Sequence, residues 1–241
     1  MSVLLSDRQG EILVLTLNRP AVANALDSTL QEALVAALAE AATDESVRAV
    51  VLTASGERVF SAGADLKEYA AVERPLASRM MRGLLHRTLL AALDFPKPLV
   101  AAVQAKALGA GCMLAAAADE VIASEAAQFG LPEIRIGMPT PIGFAVLAPR
   151  LGHSAAQRLV QTGDPVDAAR ALAMGLADEV VAPAQLAARA LERARALGAH
   201  PAPAWRANKA WINGGVCAAI DAAAAEAERL QNASGADGKN E

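Results

Sequence analysis

Twice in this chain a run of small residues stands between a strand-like segment and a helix-like one, and that recurrence limits the fold more than any other feature. The first run is Phe60-Ser61-Ala62-Gly63-Ala64-Asp65-Leu66-Lys67-Glu68, which follows the apolar stretch 48–53 and a loop at 54–58. The second is Gly109-Ala110-Gly111, between the apolar stretch 99–103 and the alanine-rich stretch 112–118. A short apolar run bounded by turn signals fits a buried strand, and strands alternating with helices give an α/β chain.

Small side chains leave space beside each turn, so another molecule can approach the main chain there. The first N–H groups of a helix lack intrahelical partners and lie at the positive end of its dipole, which suits an anion or a developing oxyanion. Two N–H groups from two such turns are what an oxyanion hole requires. Glu133, in Leu131-Pro132-Glu133-Ile134, adds a carboxylate with apolar flanks, a setting that raises a carboxyl pKa and suits proton transfer. Taken singly, each turn also fits close strand-to-helix packing, and Glu133 also fits a solvated loop. A dinucleotide-binding fingerprint shares the outline Gly109-x-Gly111 after a strand. Leu114 stands at its third glycine position, however, and the unit lies in mid-chain without a second nucleotide-binding half.

The rest of the chain reads as support. Residues 3–5 and 12–17 form a hairpin, and Ser28-Thr29-Leu30-Gln31 has the form of a capping box opening a helix with Leu30, Leu34, Leu38 and Ala41 on one face. Residues 66–94 read as helix with a break near Arg74-Pro75, carrying Met80, Met81, Leu84 and Leu85. The methionine pair fits gap-filling core or the wall of a variable acyl pocket. After the rigid loop 138–143 come helices near 155–162 and 166–173 and a return strand at 179–181. Alanine-rich helices at 184–197 and 215–230 form an appendage. Residues 232–241 have no apolar anchor and are expected to be disordered. The expected organisation is therefore a core over 1–183, a helical region over 184–231 that serves oligomerisation, and a tail.

Composition excludes several functions. At 241 residues and a net charge of −4, with 3% aromatics, the chain offers neither a basic field nor stacking surfaces for nucleic acid. No uninterrupted apolar segment is long enough to span a membrane, and the N-terminus lacks signal-peptide character, so a soluble cytoplasmic protein is expected. Cys112 and Cys217 form no Cys-x-x-Cys pattern, and the three histidines are scattered, which argues against a metal site.

Taken together and in order, Asn18-Arg19-Pro20 with Asn24-Ala25-Leu26, then 60–68, 107–112, 129–134 and 168–181 resemble the crotonase, or enoyl-CoA hydratase/isomerase, superfamily. The resemblance implies a spiral of repeated ββα units with a C-terminal helical part, and homotrimers that can pair into hexamers. It implies an acyl-CoA thioester substrate and no separate cofactor. Carried over by position, it puts the oxyanion hole on the backbone N–H groups of Ala64 and Ala110, with Glu133 as the proton-transferring group. It puts the adenine contacts on the main chain around Ala23, Ala62, Asp65 and Leu66. The acyl pocket is expected from Met80, Met81, Leu84, Met113 and Phe144.

Departures from the family pattern bear on the reaction. Hydratases of this family carry two glutamates, because hydration needs an activated water and a delivered proton. Here the second matches Glu133 and the first matches Met113, which can do neither. The loop 137–143, Gly-Met-Pro-Thr-Pro-Ile-Gly, also lacks the Pro-Gly-x-Gly-Gly of hydratases. A double-bond shift needs only one base, so the expected activity is that of an enoyl-CoA isomerase. The alternatives are a hydratase using another acid, Glu68 or Glu73, a related decarboxylase or thioester hydrolase, and a protein that binds acyl-CoA without turnover. The short C-terminus departs as well, leaving the cover over the CoA site in question.

Overall fold

Uninterrupted apolar runs suit strands covered on both faces, and the chain uses them in that way. A computed structural model describes residues 2–237 apart from Tyr69 and Ala71, without side-chain detail at Arg74, Pro75, Ser78 and 230–237. In order the elements are β1 (Leu4–Gln9), β2 (Ile12–Leu17), α1 (Ser28–Thr43), β3 (Ala49–Ala54), β4 (Val59–Ser61), α2 (Arg74–Leu93), β5 (Leu99–Val103), β6 (Lys106–Leu108) and α3 (Ala110–Ala116). There follow β7 (Glu120–Ser124), β8 (Gln128–Gly130), α4 (Pro141–Leu151), α5 (His153–Thr162), β9 (Val166–Asp167), α6 (Ala168–Ala173), β10 (Glu179–Val181), α7 (Leu186–Gly198) and α8 (Ala202–Asp237).

Six strands form one sheet in the order β1-β2-β3-β5-β7-β10, and four form a second in the order β4-β6-β8-β9. Three consecutive ββα units, β3-β4-α2, β5-β6-α3 and β7-β8-α4, each give the first strand to the larger sheet and the second to the smaller. This is the expected spiral. In β3, Val50 and Leu52 join the main core with α1, α2 and α3, while Ala49 and Val51 join a second cluster with Leu186, Ala190 and Ala194 of α7. Side chains alternate along a strand and recur every four residues on a helix face, so both elements meet on one seam.

The smaller sheet positions the site. β4, β6 and β8 are parallel neighbours in that order, so the chain leaves all three at the same edge. Loops at the carboxyl ends of parallel strands are where open α/β sheets hold ligands.

Several local expectations change. The N-cap of α1 is Asp27, whose carboxylate accepts the Leu30 N–H at 2.8 Å. Ser28 instead donates its N–H to Glu68 at 3.0 Å, and the Gln31 amide is buried against the Leu26 carbonyl and the Thr88 hydroxyl. α2 begins at Arg74 rather than 66, with Pro75 in its first turn, where a missing N–H costs nothing. The two Gly214 and Gly215 positions do not begin a helix, because α8 runs through them from Ala202. It also continues to Asp237, so the expected disordered tail from 232 starts as helix; residues 238–241 lie outside the described residues. Side-chain anchors hold α8 down: Lys209 Nζ lies 2.7 Å from Asp119, Asn213 donates to the Leu93 carbonyl at 2.8 Å, and His86 meets Asp221 at 2.6 Å. No helix among the described residues is long and apolar enough to cross a membrane.

Candidate active site

The turns leaving β4, β6 and β8 meet at that edge. Ala62-Gly63-Ala64 follows β4, Gly109 and the first turn of α3 follow β6, and Leu131 with a short 3-10 helix, Pro132–Ile136, follows β8. Gly63 has φ 96° and Gly109 has φ 54° with ψ −127°, conformations that glycine adopts without strain. Contact requires glycine as well. A Cβ on Gly63 would lie 2.9 Å from the Leu108 carbonyl, and one on Gly109 would lie 2.8 Å from Glu133 Oε1.

The first turn is held from behind by the loop Ala23 to Leu26. Ala62 N–H donates to Ala23 O (3.0 Å), Leu26 N–H to Gly63 O (2.8 Å) and Asp65 N–H to Leu26 O (3.1 Å). Asn24 is buried and left-handed, and its amide donates to the Ser55 and Val59 carbonyls while its oxygen accepts the Arg19 N–H. Arg19 bridges Asp27 and Asp65 at 2.9 Å each. These bonds give Asn24 and Arg19 a physical task as supports of the turn. The second turn is tied by Gly109 N–H to the Gly130 carbonyl, 2.9 Å.

With their turns so held, the Ala64 and Ala110 N–H groups have no acceptor among the described residues. Glu133 sits beside them, half-buried, with Oε1 against Gly109 and Oε2 buried without a hydrogen-bond partner. Burial raises its pKa above the ordinary glutamate value. The neighbouring Cys112 thiol is fully buried and pushed up to about 12 by that burial and then by the Glu133 charge, so it stays a protonated packing group.

These groups open on a cavity of about 290 Å³. Its wall includes Met81 and Met113, expected in the acyl pocket, and Ala62, Ala64, Leu66 and Ala110, expected as main-chain contacts of the CoA or the thioester oxygen, and Glu133 is the only carboxylate among the described lining residues. Met113 is 3% exposed, and its methyl reaches Gly143 in the first turn of α4.

Other expected pocket residues lie elsewhere. Met80 is 49% exposed on the outer face of α2, one position out of phase with Met81. Leu84 is buried but does not line the cavity, where Leu85, four residues after Met81, does. Phe144 lines a separate apolar groove between α4, α5 and α8 and meets the His153 ring edge-on at 5.1 Å. Ala23 and Asp65 support the first turn without lining the cavity. Neither candidate second acid lines the cavity: Glu68 is engaged by Ser28, and Glu73 is the exposed residue preceding α2.

Sequence reasoning missed Ile142, Ala227 of α8, and the arginines Arg82 and Arg135, all of which line the cavity. Leu85 and Arg82 were legible as residues in the phase of the inward stripe that contains Met81; Ala227 carried no signal.

The Enoyl-CoA hydratase/isomerase family model matches residues 7–237. A 2,3-dehydroadipyl-CoA hydratase of Escherichia coli K12 is 41% identical over 95% of this chain and 89% of its own length. A short-chain-enoyl-CoA hydratase of Clostridium acetobutylicum is 35% identical, covering 91% of this chain and 84% of the relative. Among solved structures, an enoyl-CoA hydratase/isomerase from Xanthobacter autotrophicus Py2 superposes with a TM-score of 0.88 at 32% identity, over 95% of this chain and 87% of that one.

Proposed function

Since this chain belongs to the enoyl-CoA hydratase/isomerase family, we propose that it moves the double bond of an enoyl-CoA from the 3,4 to the 2,3 position, with Glu133 as its single proton shuttle. The observation that carries this reading is the cavity itself, where one carboxylate faces two unpaired backbone amides from separate turns.

The thioester carbonyl oxygen accepts the Ala64 and Ala110 N–H groups, and the Glu133 carboxylate removes a proton from the α-carbon. Negative charge passes to the carbonyl oxygen as a dienolate forms, and fixed donors stabilise that charge more than the neutral thioester. Protonated Glu133 then delivers the proton to the γ-carbon, which places the double bond in conjugation and restores the carboxylate. No atom is gained or lost. A raised pKa brings Glu133 closer to what both transfers need, a base that also holds its proton.

Hydration of a 2-enoyl-CoA is the second reading, favoured by the names of the relatives. Against it stands Met113, whose thioether fills the space between α3 and Gly143. A homotrimer, or a dimer of trimers, belongs to the same family reading.

The test follows conjugated-thioester absorbance with a 3-enoyl-CoA and separately with a 2-enoyl-CoA, using Glu133→Gln as control. A rise with the 3-enoyl substrate that is lost in Glu133→Gln supports isomerisation. A fall with the 2-enoyl substrate and no rise with the other replaces it by hydration. Silence in both leaves a different acyl-CoA reaction or binding alone.

A further inference from the structure

The wall of the cavity is unevenly covered. Leu66 and Ile136 are 48% and 60% exposed and mark its mouth, whereas Met81, Leu85, Met113 and Ile142 are buried and line its depth. Met113 follows Ala110 by three residues, on the same face of α3 and about 4.5 Å farther along the helix axis. A thioester whose oxygen meets the Ala110 N–H therefore has Met113 one turn deeper. The Met113 methyl is itself held in a corner. A Cβ placed on Gly143 would lie 3.0 Å from Met113 Cε, 2.9 Å from Leu131 Cδ1 and 2.5 Å from Thr140 Cγ2, so three side chains close over a position that glycine leaves open. The cavity of about 290 Å³ is about twice the ~150 Å³ that holds the six carbons of benzene, which gives room for about a dozen non-hydrogen atoms. The thioester group and the adjoining end of the pantetheine arm take about half of them, leaving about six carbons for the acyl chain.

We propose that Met113 sets the length limit of the acyl group, so that the preferred thioesters are short-chain ones of about four to six carbons. This rests on the reading of the cavity as the acyl-CoA site. Each methylene buried against the aliphatic wall gains about fourfold in affinity until the chain meets the Met113 side chain. A longer chain must push that side chain against Leu131, Thr140 and Gly143, and overpacking a filled corner is unfavourable. Cutting Met113 back to alanine removes Cγ, Sδ and Cε and opens room for about three more carbons.

Calorimetric titration with saturated acyl-CoAs from butyryl to decanoyl, in single-carbon steps, reads the limit without turnover. In the wild type, affinity is expected to rise about fourfold per methylene up to hexanoyl and then to stop rising or fall. In Met113→Ala the break moves about two to three carbons further. Met113→Val, which removes less of the side chain and disturbs the core less, moves it in the same direction. Because the break is read within each protein's own series, a uniform change in affinity does not imitate a shift. A break that stays in place in both variants assigns the depth to other wall residues and overturns the proposal, as does a wild type whose affinity keeps rising to decanoyl. A break that responds to Met113 without isomerase activity retains this inference and removes the isomerase reading, and isomerase activity with an unmoved break does the opposite.

Discussion

Gly109→Ala probes the point at which fold and chemistry meet. The new Cβ would lie 2.8 Å from Glu133 Oε1, where ordinary contact begins near 3.4 Å, so the carboxylate must retreat by the difference or the turn must open. The backbone compounds the problem, because φ 54° with ψ −127° is a glycine conformation, and forcing it on alanine costs about 1–3 kcal/mol. Displacing a reacting group by a fraction of an ångström to 1 Å costs up to about 100-fold in rate. The expected variant therefore folds with stability reduced by that amount and loses roughly 100-fold in activity per folded molecule. Urea unfolding gives the first quantity, and the 3-enoyl-CoA absorbance assay on soluble protein gives the second. Gly83→Ala is the control, since Gly83 lies in α2 with nothing within 4 Å and no left-handed φ; it should gain about 0.5–1 kcal/mol and keep its activity. A Gly109→Ala enzyme with wild-type turnover would refute the placement of Glu133 against this turn.

Burial raises the folded-state pKa of Glu133, so the protonated form is the better tolerated one: its stabilising effect is complete below the unfolded pKa and is lost as pH rises through the folded value. Glu133→Gln should accordingly melt higher than wild type at pH 8, with the gap closing toward pH 4; a gap independent of pH would contradict this. Lys209→Met removes the ion-pair partner of the largely buried Asp119, which keeps only the Leu99 N–H, and should cost about 3–5 kcal/mol in urea unfolding, with part recovered by adding Asp119→Asn. Met113→Glu supplies the second carboxylate that hydration requires; fall of 2-enoyl-CoA absorbance should appear in it and not in Met113→Gln, at a stability loss of about 1–3 kcal/mol for a buried polar group. Light scattering should give three or six times the 24.7 kDa chain mass, and a monomer would remove the trimer from the family reading.

Local rules made much of the molecule legible. Continuous apolar runs such as 99–103 signal strands covered on both faces, because alternating side chains then need burial everywhere. Small-residue turns signal close approach to the main chain, and Glu133 carries its apolar setting in its own neighbours. Those are properties of adjacent residues, so the sequence by itself determined them. It could not determine the phase of α2: Leu85 and Arg82 follow the phase of Met81, but that Met81 rather than Met80 faces the site is decided by the packing of α2 against α1, α3 and α8. Nor could it show α8 reaching back to place Ala227 over the cavity, since the anchors Lys209–Asp119 and Asn213–Leu93 join residues far apart in the chain. The meeting of Gly63, Gly109 and Glu133 is likewise tertiary. It exists because β4, β6 and β8 pair in parallel and end together, and strand pairing across distant segments is decided by burial of the whole sheet rather than by any single stretch.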